Sequence, residues 1–304
     1  MNRIGQAEID ALLKMPFDLE IMGRLYYQAT ELWHRGIFKP KGEERDRFIS
    51  VLLDVTIKLS AMQYHLKNYE QHEALCIEQL KAKCGEKPYM ALQAHELLFE
   101  LEAFMFQMKS ALDFAVKFPE ALFPKRFKTK TFGDMGEDLI KGLESYKKDK
   151  NSKKEIVDSI ISMIRDDQNA WLKQAVTLRT SLNHFKTIAG YNYQAKRNGD
   201  EWEIIVPRIA RLNVLTYMNR VYSNCLEFIQ DFMCLVIGMY LPKGVTVGVK
   251  PSYVSGDKDP IEKYIKFGWS LAESSNNDTN QEKNKDEKRP NTYKAQLCQE
   301  KKRS

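Results

Sequence analysis

The chain has few cysteines and no long hydrophobic run, and both absences exclude classes of protein. Its five cysteines include no Cys-x-x-Cys pair, which is typical of reduced thiols in a cytosolic compartment rather than of a disulfide framework. The longest apolar run, Phe232 to Leu241, is about half the length of a membrane-spanning helix. The first residues include Glu8 and Asp10 and no basic stretch before an apolar run, so no signal peptide is expected. These features predict a soluble, cytoplasmic protein without a membrane segment.

Several catalytic patterns are missing as well. The sequence has no glycine-rich phosphate loop, no Gly-x-Ser-x-Gly and no His-Glu-x-x-His, which argues against P-loop, α/β-hydrolase and zinc-protease chemistry. What is present is the balance of a globular protein: 304 residues, 43% of them hydrophobic and 29% charged. The formal charge of +6 permits an anionic partner without requiring one.

Apolar residues that recur every three or four positions predict a mostly helical chain. The pattern indicates two short helices within about 4–36, on either side of Pro16, and a shorter helix near 134–146. Four long helices are predicted at about 46–83, 89–118, 153–189 and 210–241. Glycine and proline follow these segments, as at Gly85 and Pro88, and end them.

The period changes between the last two long helices. Tyr191 to Ala195 and Trp202 to Val206 alternate like strands, and Asn198-Gly199 lies between them. That dipeptide accepts the positive φ of a tight turn, so a β-hairpin is predicted. The fold class is therefore all-α: an antiparallel helical bundle with one small β-hairpin before the last long helix.

The same reading divides the chain into four parts. Residues 1–88 are expected to form a helical region that packs on a core bundle at 89–241. Residues 242–271 form a short extension. The segment 272–304 is rich in Asn, Lys, Glu and Gln with almost nothing apolar, and is predicted to be disordered.

One segment of the third long helix carries residues suited to chemistry. Arg179 and His184 lie five positions apart, which separates them by about 7.5 Å along an ideal helix and about 140° around it. An imidazole exchanges protons near neutral pH, and a guanidinium stabilises charge on a phosphoryl group. Poor helix formers surround the pair, and such conflicts between local propensity and global pattern tend to mark sites; they are Thr177, Thr180, Ser181 and Asn183.

This motif and its context resemble the HEPN family, in which a helical bundle carries Arg-x4-6-His in a late core helix. An earlier helix with an acidic start at Glu100 and a Ser110-x-x-Asp113 segment is also similar to the family, as are the hairpin and the helix after it. The resemblance covers about 90–241. It implies an RNA-cleaving or nucleotide-binding domain of this type.

The resemblance further implies a mechanism without metal or cofactor. The ribose 2′-hydroxyl attacks the adjacent phosphate, His184 acts as general base or acid, and Arg179 stabilises the transition state. Thr180, Asn183 and Asp113 are the expected supporting residues. The implied assembly is a homodimer with both motifs near the two-fold axis, acting in defence or toxin–antitoxin regulation with an antitoxin or other regulatory partner.

Two alternatives remain open. Position 180 is Thr, where the family usually has Asn, Asp or His, and this favours an inactive module that binds RNA, a nucleotide or a partner protein. The chain is also compatible with an unrelated helical scaffold in which Arg179 and His184 are structural.

A basic segment completes the candidate site. Residues 117–154 contain eleven Lys or Arg against six Asp or Glu. RNA contacts are expected at its start, where an aromatic ring amid cations favours stacking on an unpaired base; the residues are Lys125, Arg126, Phe127, Lys128 and Lys130. His65, His72 and Cys76 lie near one side of their helix, and a zinc site there needs a further ligand such as Cys84. No known ligand spacing supports such a site, so these are interpreted as ordinary polar residues.

Overall fold

The structure is a computed structural model of the whole chain. It describes the backbone of these residues: 21, 29–30, 32–84, 89–92, 94–128, 131–150, 153–183, 191–199, 201–242, 245–249 and 267–271. Side chains are described for the same set except 89–90, 134, 183, 245–249 and 267–271. The predicted short helices within 4–36 and the tail from 272 lie wholly or largely outside these residues.

Two long helices form the centre of the bundle. Helix α1 spans Glu43–Ala82 and helix α2 spans His95–Ala115, and they pack against each other along their lengths. Their buried residues recur every three or four positions and join one hydrophobic core. No side chain caps the first turn of α1, but three acidic residues there (Glu43, Glu44 and Asp46) offset the unpaired N–H groups.

The segment after α2 contains shorter helices. Helix α3 spans Phe118–Leu122, a 3₁₀ turn spans Gly133–Gly136 and helix α4 spans Glu137–Asp149. The shorter helix predicted near 134–146 is thus present and is displaced by three residues. The 3₁₀ turn contains two residues with positive φ, Met135 and Gly136.

The third predicted long helix is interrupted. Helix α5 spans Lys154–Asp167, a π-helical turn spans Gln168–Leu172, and helix α6 spans Lys173–Asn183. Two side chains fix the π turn: Trp171 Nε1 donates to Asp167 Oδ1 at 2.7 Å, and Gln168 Nε2 donates to the Met135 carbonyl at 2.8 Å. A π turn accommodates about one extra residue, so α6 is rotated by about 100° from where an uninterrupted helix would place it.

A small antiparallel sheet lies between α6 and the last long helix. Strand β2 spans Tyr193–Asn198 and strand β3 spans Glu201–Ile205, and Gly199 takes the positive φ of the turn between them. This confirms the predicted hairpin. A third strand, β1 at Tyr89–Leu92, pairs with the other edge of β2. The predicted start of the second long helix at 89 is wrong: residues 89–92 pair with a strand about one hundred residues later, and the helix begins at His95.

Helix α7 spans Val214–Tyr240, and every residue from Phe228 to Met239 is buried. It begins after a short pairing of β4, Arg208–Ile209, with β5, Leu212–Asn213, and the Asn213 side chain accepts from Thr216 N at 2.7 Å. Lys153 caps the other end by donating to the carbonyls of Gly238 and Leu241 at 3.2 and 2.7 Å. A side chain therefore caps each end of this largely buried helix.

The chain beyond α7 forms a second hairpin, in which β6 at Val245–Val249 pairs with β7 at Phe267–Leu271. The described residues up to Leu271 belong to one compact unit. The fold is mostly all-α with small antiparallel sheets, which confirms the predicted class. Among the described residues, no helix has both the length and the apolar character needed to cross a membrane.

Candidate functional site: the α2–α6 surface around Arg179

Arg179 lies on α6, where that helix packs against α2. Its guanidinium carbon is 5.7 Å from the centroid of the Phe106 ring on α2. This is within the range of a cation–π interaction, which attracts a cation to the face of an aromatic ring. Phe106 is 48% exposed, whereas Arg179 is half-buried and its Nε is enclosed, so the pair lies at the edge of the core.

The rest of the motif is described only in part. His184 lies outside the described residues, as does the side chain of Asn183, so the structure gives no separation between Arg179 and His184. Thr180 is exposed, and its Oγ1 donates to the Val176 carbonyl one turn earlier, at 2.9 Å. Back-bonding of this kind is common for threonine within a helix, and it commits the hydroxyl proton to the backbone.

Asp113, the other predicted supporting residue, lies two helical turns beyond Phe106 on the same side of α2. Its carboxylate pairs with Lys109 and accepts a hydrogen bond from the backbone N–H of Phe132 at 2.7 Å. These contacts attach the segment before the 3₁₀ turn to α2. The predicted role of Asp113 in orienting the Arg-x4-His motif stays a prediction.

The basic segment is less uniform than its composition indicates. Lys125 and Lys128 are exposed, Arg126 forms an ion pair with Asp149, and Lys130 lies outside the described residues. Later cations of the segment also have partners: Lys147 pairs with Glu144 and Asp158 at 2.9 and 2.8 Å. Part of the positive charge is thus neutralised within the protein.

Phe127 requires a correction. We expected its ring to be available for stacking on a base, but it is only 1% exposed. It packs against Phe123 and Tyr146 at centroid distances of 6.1 and 5.7 Å, over Gly142 of α4. An aromatic side chain amid lysines can either remain exposed for stacking or pack into the core. The Phe127 ring packs into the core, because this buries its large apolar surface.

A buried network of three phenols and one carboxylate links α1 to the start of β2. Tyr191 donates to Tyr69 at 2.8 Å, the hydroxyls of Tyr69 and Tyr193 are 2.8 Å apart, and Tyr193 donates to Glu73 Oε1 at 2.6 Å. Since each hydroxyl has one proton, the donors run in order from Tyr191 through Tyr69 and Tyr193 to Glu73. All four residues are buried. We call them the tyrosine network.

Burial perturbs the ionisation of the tyrosine network. It raises the pKa of Glu73, an effect that the hydrogen bond from Tyr193 partly offsets. Burial also raises the pKa values of Tyr69, Tyr191 and Tyr193 well above those of free phenols. The neighbouring Cys76 thiol has a pKa of about 11, again mainly because it is buried, so it is a poor nucleophile at neutral pH.

A second polar link joins α1 and α2 closer to the surface. His65 Nδ1 is 2.7 Å from Glu100 Oε2, and Asn68 Nδ2 donates to Glu100 Oε1 at 3.3 Å. Among the described residues, no three His, Cys, Asp or Glu side chains are placed to hold a metal ion. The link therefore stands as a contact between the two longest helices.

Two aromatic residues of this surface were not anticipated from the sequence. Phe99 and Phe106 are 62% and 48% exposed, whereas Leu97, Leu101 and Phe104 of the same helix are buried. Helical spacing alone places both residues opposite the apolar stripe of α2, so the sequence already indicated that the two rings are exposed. The contact between Arg179 and Phe106 could not be predicted from the sequence, because it depends on how α6 packs on α2.

Comparison with protein-family models, with curated proteins and with solved structures finds no match to this chain.

Proposed function

We propose that this chain is a metal-independent endoribonuclease of the HEPN type. The observation that supports it best is the placement of Arg179, a half-buried residue whose guanidinium lies over the exposed ring of Phe106 at the α2–α6 junction. A phosphodiester at the surface is within the reach of such a group, and arginine matches phosphate geometry with two parallel hydrogen bonds. The helical fold and the hairpin before the last long helix agree with this type of domain.

In the proposed reaction, His184 takes the proton of a ribose 2′-hydroxyl while that oxygen attacks the adjacent phosphorus. The bond from phosphorus to the 5′-oxygen of the next nucleotide breaks, and that oxygen receives a proton. Arg179 stabilises the additional negative charge on the phosphoryl oxygens. The upstream product carries a 2′,3′-cyclic phosphate, and no oxidant or metal takes part.

The proposed assembly is a homodimer that brings two copies of the Arg-x4-His motif near a two-fold axis. The proposed setting is the cytoplasm, with RNA as substrate and with defence or toxin–antitoxin regulation as the role. An antitoxin or another regulatory partner would restrain the activity. These finer statements rest on the family resemblance.

The second candidate is an inactive module that binds RNA, a nucleotide or a partner protein. The hydrogen bond from Thr180 to the Val176 carbonyl favours it. The hydroxyl next to Arg179 is committed to the backbone, so it does not supply the contact that Asn, Asp or His would make at this position in the family.

The deciding experiment incubates the purified chain with single-stranded RNA in EDTA. Cleavage that requires the 2′-hydroxyl and leaves cyclic phosphate ends supports the ribonuclease. A DNA strand of the same sequence serves as the uncleavable control. Binding without cleavage by a correctly folded chain selects the second candidate.

A further inference from the structure

The outward side of α2 presents two aromatic rings. Phe99 and Phe106 are seven residues apart, so they lie on the same side of the helix, about 10 Å apart along its axis. Both are substantially exposed, at 62% and 48%. The core does not use these rings, because the opposite side of α2 already carries its buried residues.

Arg179 gives one of these rings a charged neighbour. Its guanidinium carbon lies over one face of the Phe106 ring, 5.7 Å from the centroid, so the cation covers that face and leaves the rest of the exposed ring for a base. A nucleotide offers the two complementary parts, a flat base and an anionic phosphate. Aromatic rings stack on bases of any sequence, and arginine pairs with the phosphate oxygens.

We propose that Phe106 and Phe99 form a base-stacking platform for single-stranded RNA, with the base at Phe106 placed next to the phosphate that Arg179 contacts. This inference rests on the proposed function and deepens it, because it specifies unpaired RNA as the substrate. The spacing of about 10 Å corresponds to about three nucleotides at a rise of about 3.4 Å each. The two rings thus hold separate bases of one strand.

The exposed area favours a nucleotide over a second protein chain. A phenylalanine buries about 150–250 Å² when fully covered, so the exposed parts of these two rings amount to about 200 Å². A stable protein interface covers about 800 Å² on each partner. The outward positions between the rings hold Glu102 and Ala103, so the two rings do not merge into a continuous apolar patch.

The platform also predicts that the protein binds unpaired RNA and not duplex RNA. A base stacks on Phe106 only when it is not already enclosed within a duplex, and double-stranded RNA presents its bases edge-on in the grooves. Loops, bulges and single-stranded segments therefore bind, and a perfect duplex of the same sequence does not bind at Phe106.

The test separates binding from cleavage with a probe that cannot be cut. A 2′-O-methyl oligonucleotide of twelve residues, with 2-aminopurine at one internal position, reports affinity by anisotropy and stacking by fluorescence quenching. The full-length chain is compared with Phe106→Leu, which keeps an apolar side chain without the π face, and with Phe106→Trp, which enlarges the π face. Tyr64→Leu removes another exposed aromatic, 61% exposed on α1, and is the matched control.

We expect Phe106→Leu to weaken binding about tenfold and to abolish the quenching, whereas Phe106→Trp and the Tyr64 control retain both. Unchanged affinity in Phe106→Leu, or no binding by the folded wild type, overturns the platform. So does a wild-type dimer that Phe106→Leu converts to monomer in sedimentation, because the ring would then serve a protein contact. Phe99→Leu provides a second variant should Phe106→Leu lose its cooperative melting.

Failure of the platform and failure of the ribonuclease give different results. A chain that binds the 2′-O-methyl probe through Phe106 but leaves ordinary RNA intact retains the platform and loses the catalytic proposal. A chain that cleaves ordinary RNA with the same kcat/KM in wild type and Phe106→Leu retains the catalytic proposal and loses the platform.

Discussion

Tyr193 donates its phenolic proton to Glu73 across 2.6 Å, and this hydrogen bond joins the first residue of β2 to the C-terminal third of α1 inside the core. The two residues are separated by 120 positions in the chain. A charged or polar group buried without a partner is costly, and here the tyrosine network supplies the partners. The sheet is thereby attached to the longest helix by directional contacts as well as by packing.

The first prediction concerns this hydrogen bond. Replacing Tyr193 by Phe retains the ring but leaves Glu73 without its described donor and interrupts the order of donors from Tyr191. We expect the free energy of unfolding to fall by about 1–3 kcal/mol, measured by urea denaturation. Tyr64→Phe, at a surface position, is the control and is expected to change stability by less than about 0.5 kcal/mol. Equal effects in the two variants would contradict the assigned role.

The second prediction follows from the raised pKa of Glu73. The folded state holds its proton more tightly than the unfolded state, whose carboxyl titrates near 4.5. The contribution of this group to stability is therefore fully present below about 4.5 and is lost as pH rises through the raised pKa. Glu73→Gln keeps an acceptor for Tyr193 but does not titrate. We expect wild type to gain stability relative to Glu73→Gln as pH falls toward 4.5, in urea titrations across that range. A difference that does not depend on pH would show that burial leaves this carboxyl unperturbed.

The third prediction compares two glycines with positive φ. Gly42, at φ 53°, has no heavy atom within 4 Å of an added Cβ, whereas at Gly136, at φ 93°, that Cβ would lie 3.0 Å from the Phe132 ring. Gly42→Ala is expected to cost about 1–3 kcal/mol from backbone strain alone, because its ψ of −124° lies outside the left-handed helical region. Gly136→Ala, at ψ 7°, is expected to cost about 1–2 kcal/mol of left-handed strain and about 1–3 kcal/mol more from steric overlap in the core. Thermal melting of both variants measures the losses, and a loss below about 2 kcal/mol in Gly136→Ala would show that the packing at Phe132 relaxes freely.

The fourth prediction tests Arg179 and His184 as one catalytic unit. Either alanine substitution should abolish cleavage, and the double variant should be no worse than the single ones, because groups that act in one transition state are strongly non-additive. Stability should change little, since Arg179 is only half-buried and contributes less to the core than Leu182 or Trp171. Single-turnover cleavage assays with circular dichroism on each variant provide the measurement. Variants that unfold would assign both residues a structural role.

Periodicity was sufficient to predict the helical class, the four helices α1, α2, α4 and α7, and the β2–β3 hairpin. Apolar spacing marks a buried helical face, and Asn198-Gly199 permits the turn, so both signals are local. Strand β1 was missed because its partner β2 lies about one hundred residues later. The π turn was missed because one of its two anchors is tertiary, the bond from Gln168 to the Met135 carbonyl.

The candidate site was predictable only at the level of single residues. Arg179 stands out by its residue type and context, but its neighbour Phe106 comes from a different helix. Phe127 and Phe106 show why aromatic residues are hard to assign. Phe127 lies among lysines in the sequence but is buried. Phe106 belongs to a helix rich in core residues but is exposed.

The π turn at Gln168–Leu172 has a consequence for how this protein can change. Deleting one residue there would restore a regular helix and swing Arg179 by about 100° about the axis of α6, away from Phe106. The residues of α5 that pack in the core would keep their places, but Ala175 and Leu182 of α6, which are buried, would rotate together with Arg179. The direction in which the arginine points is thus tied to the packing of α6, and the π turn brings its buried residues and the arginine into place together.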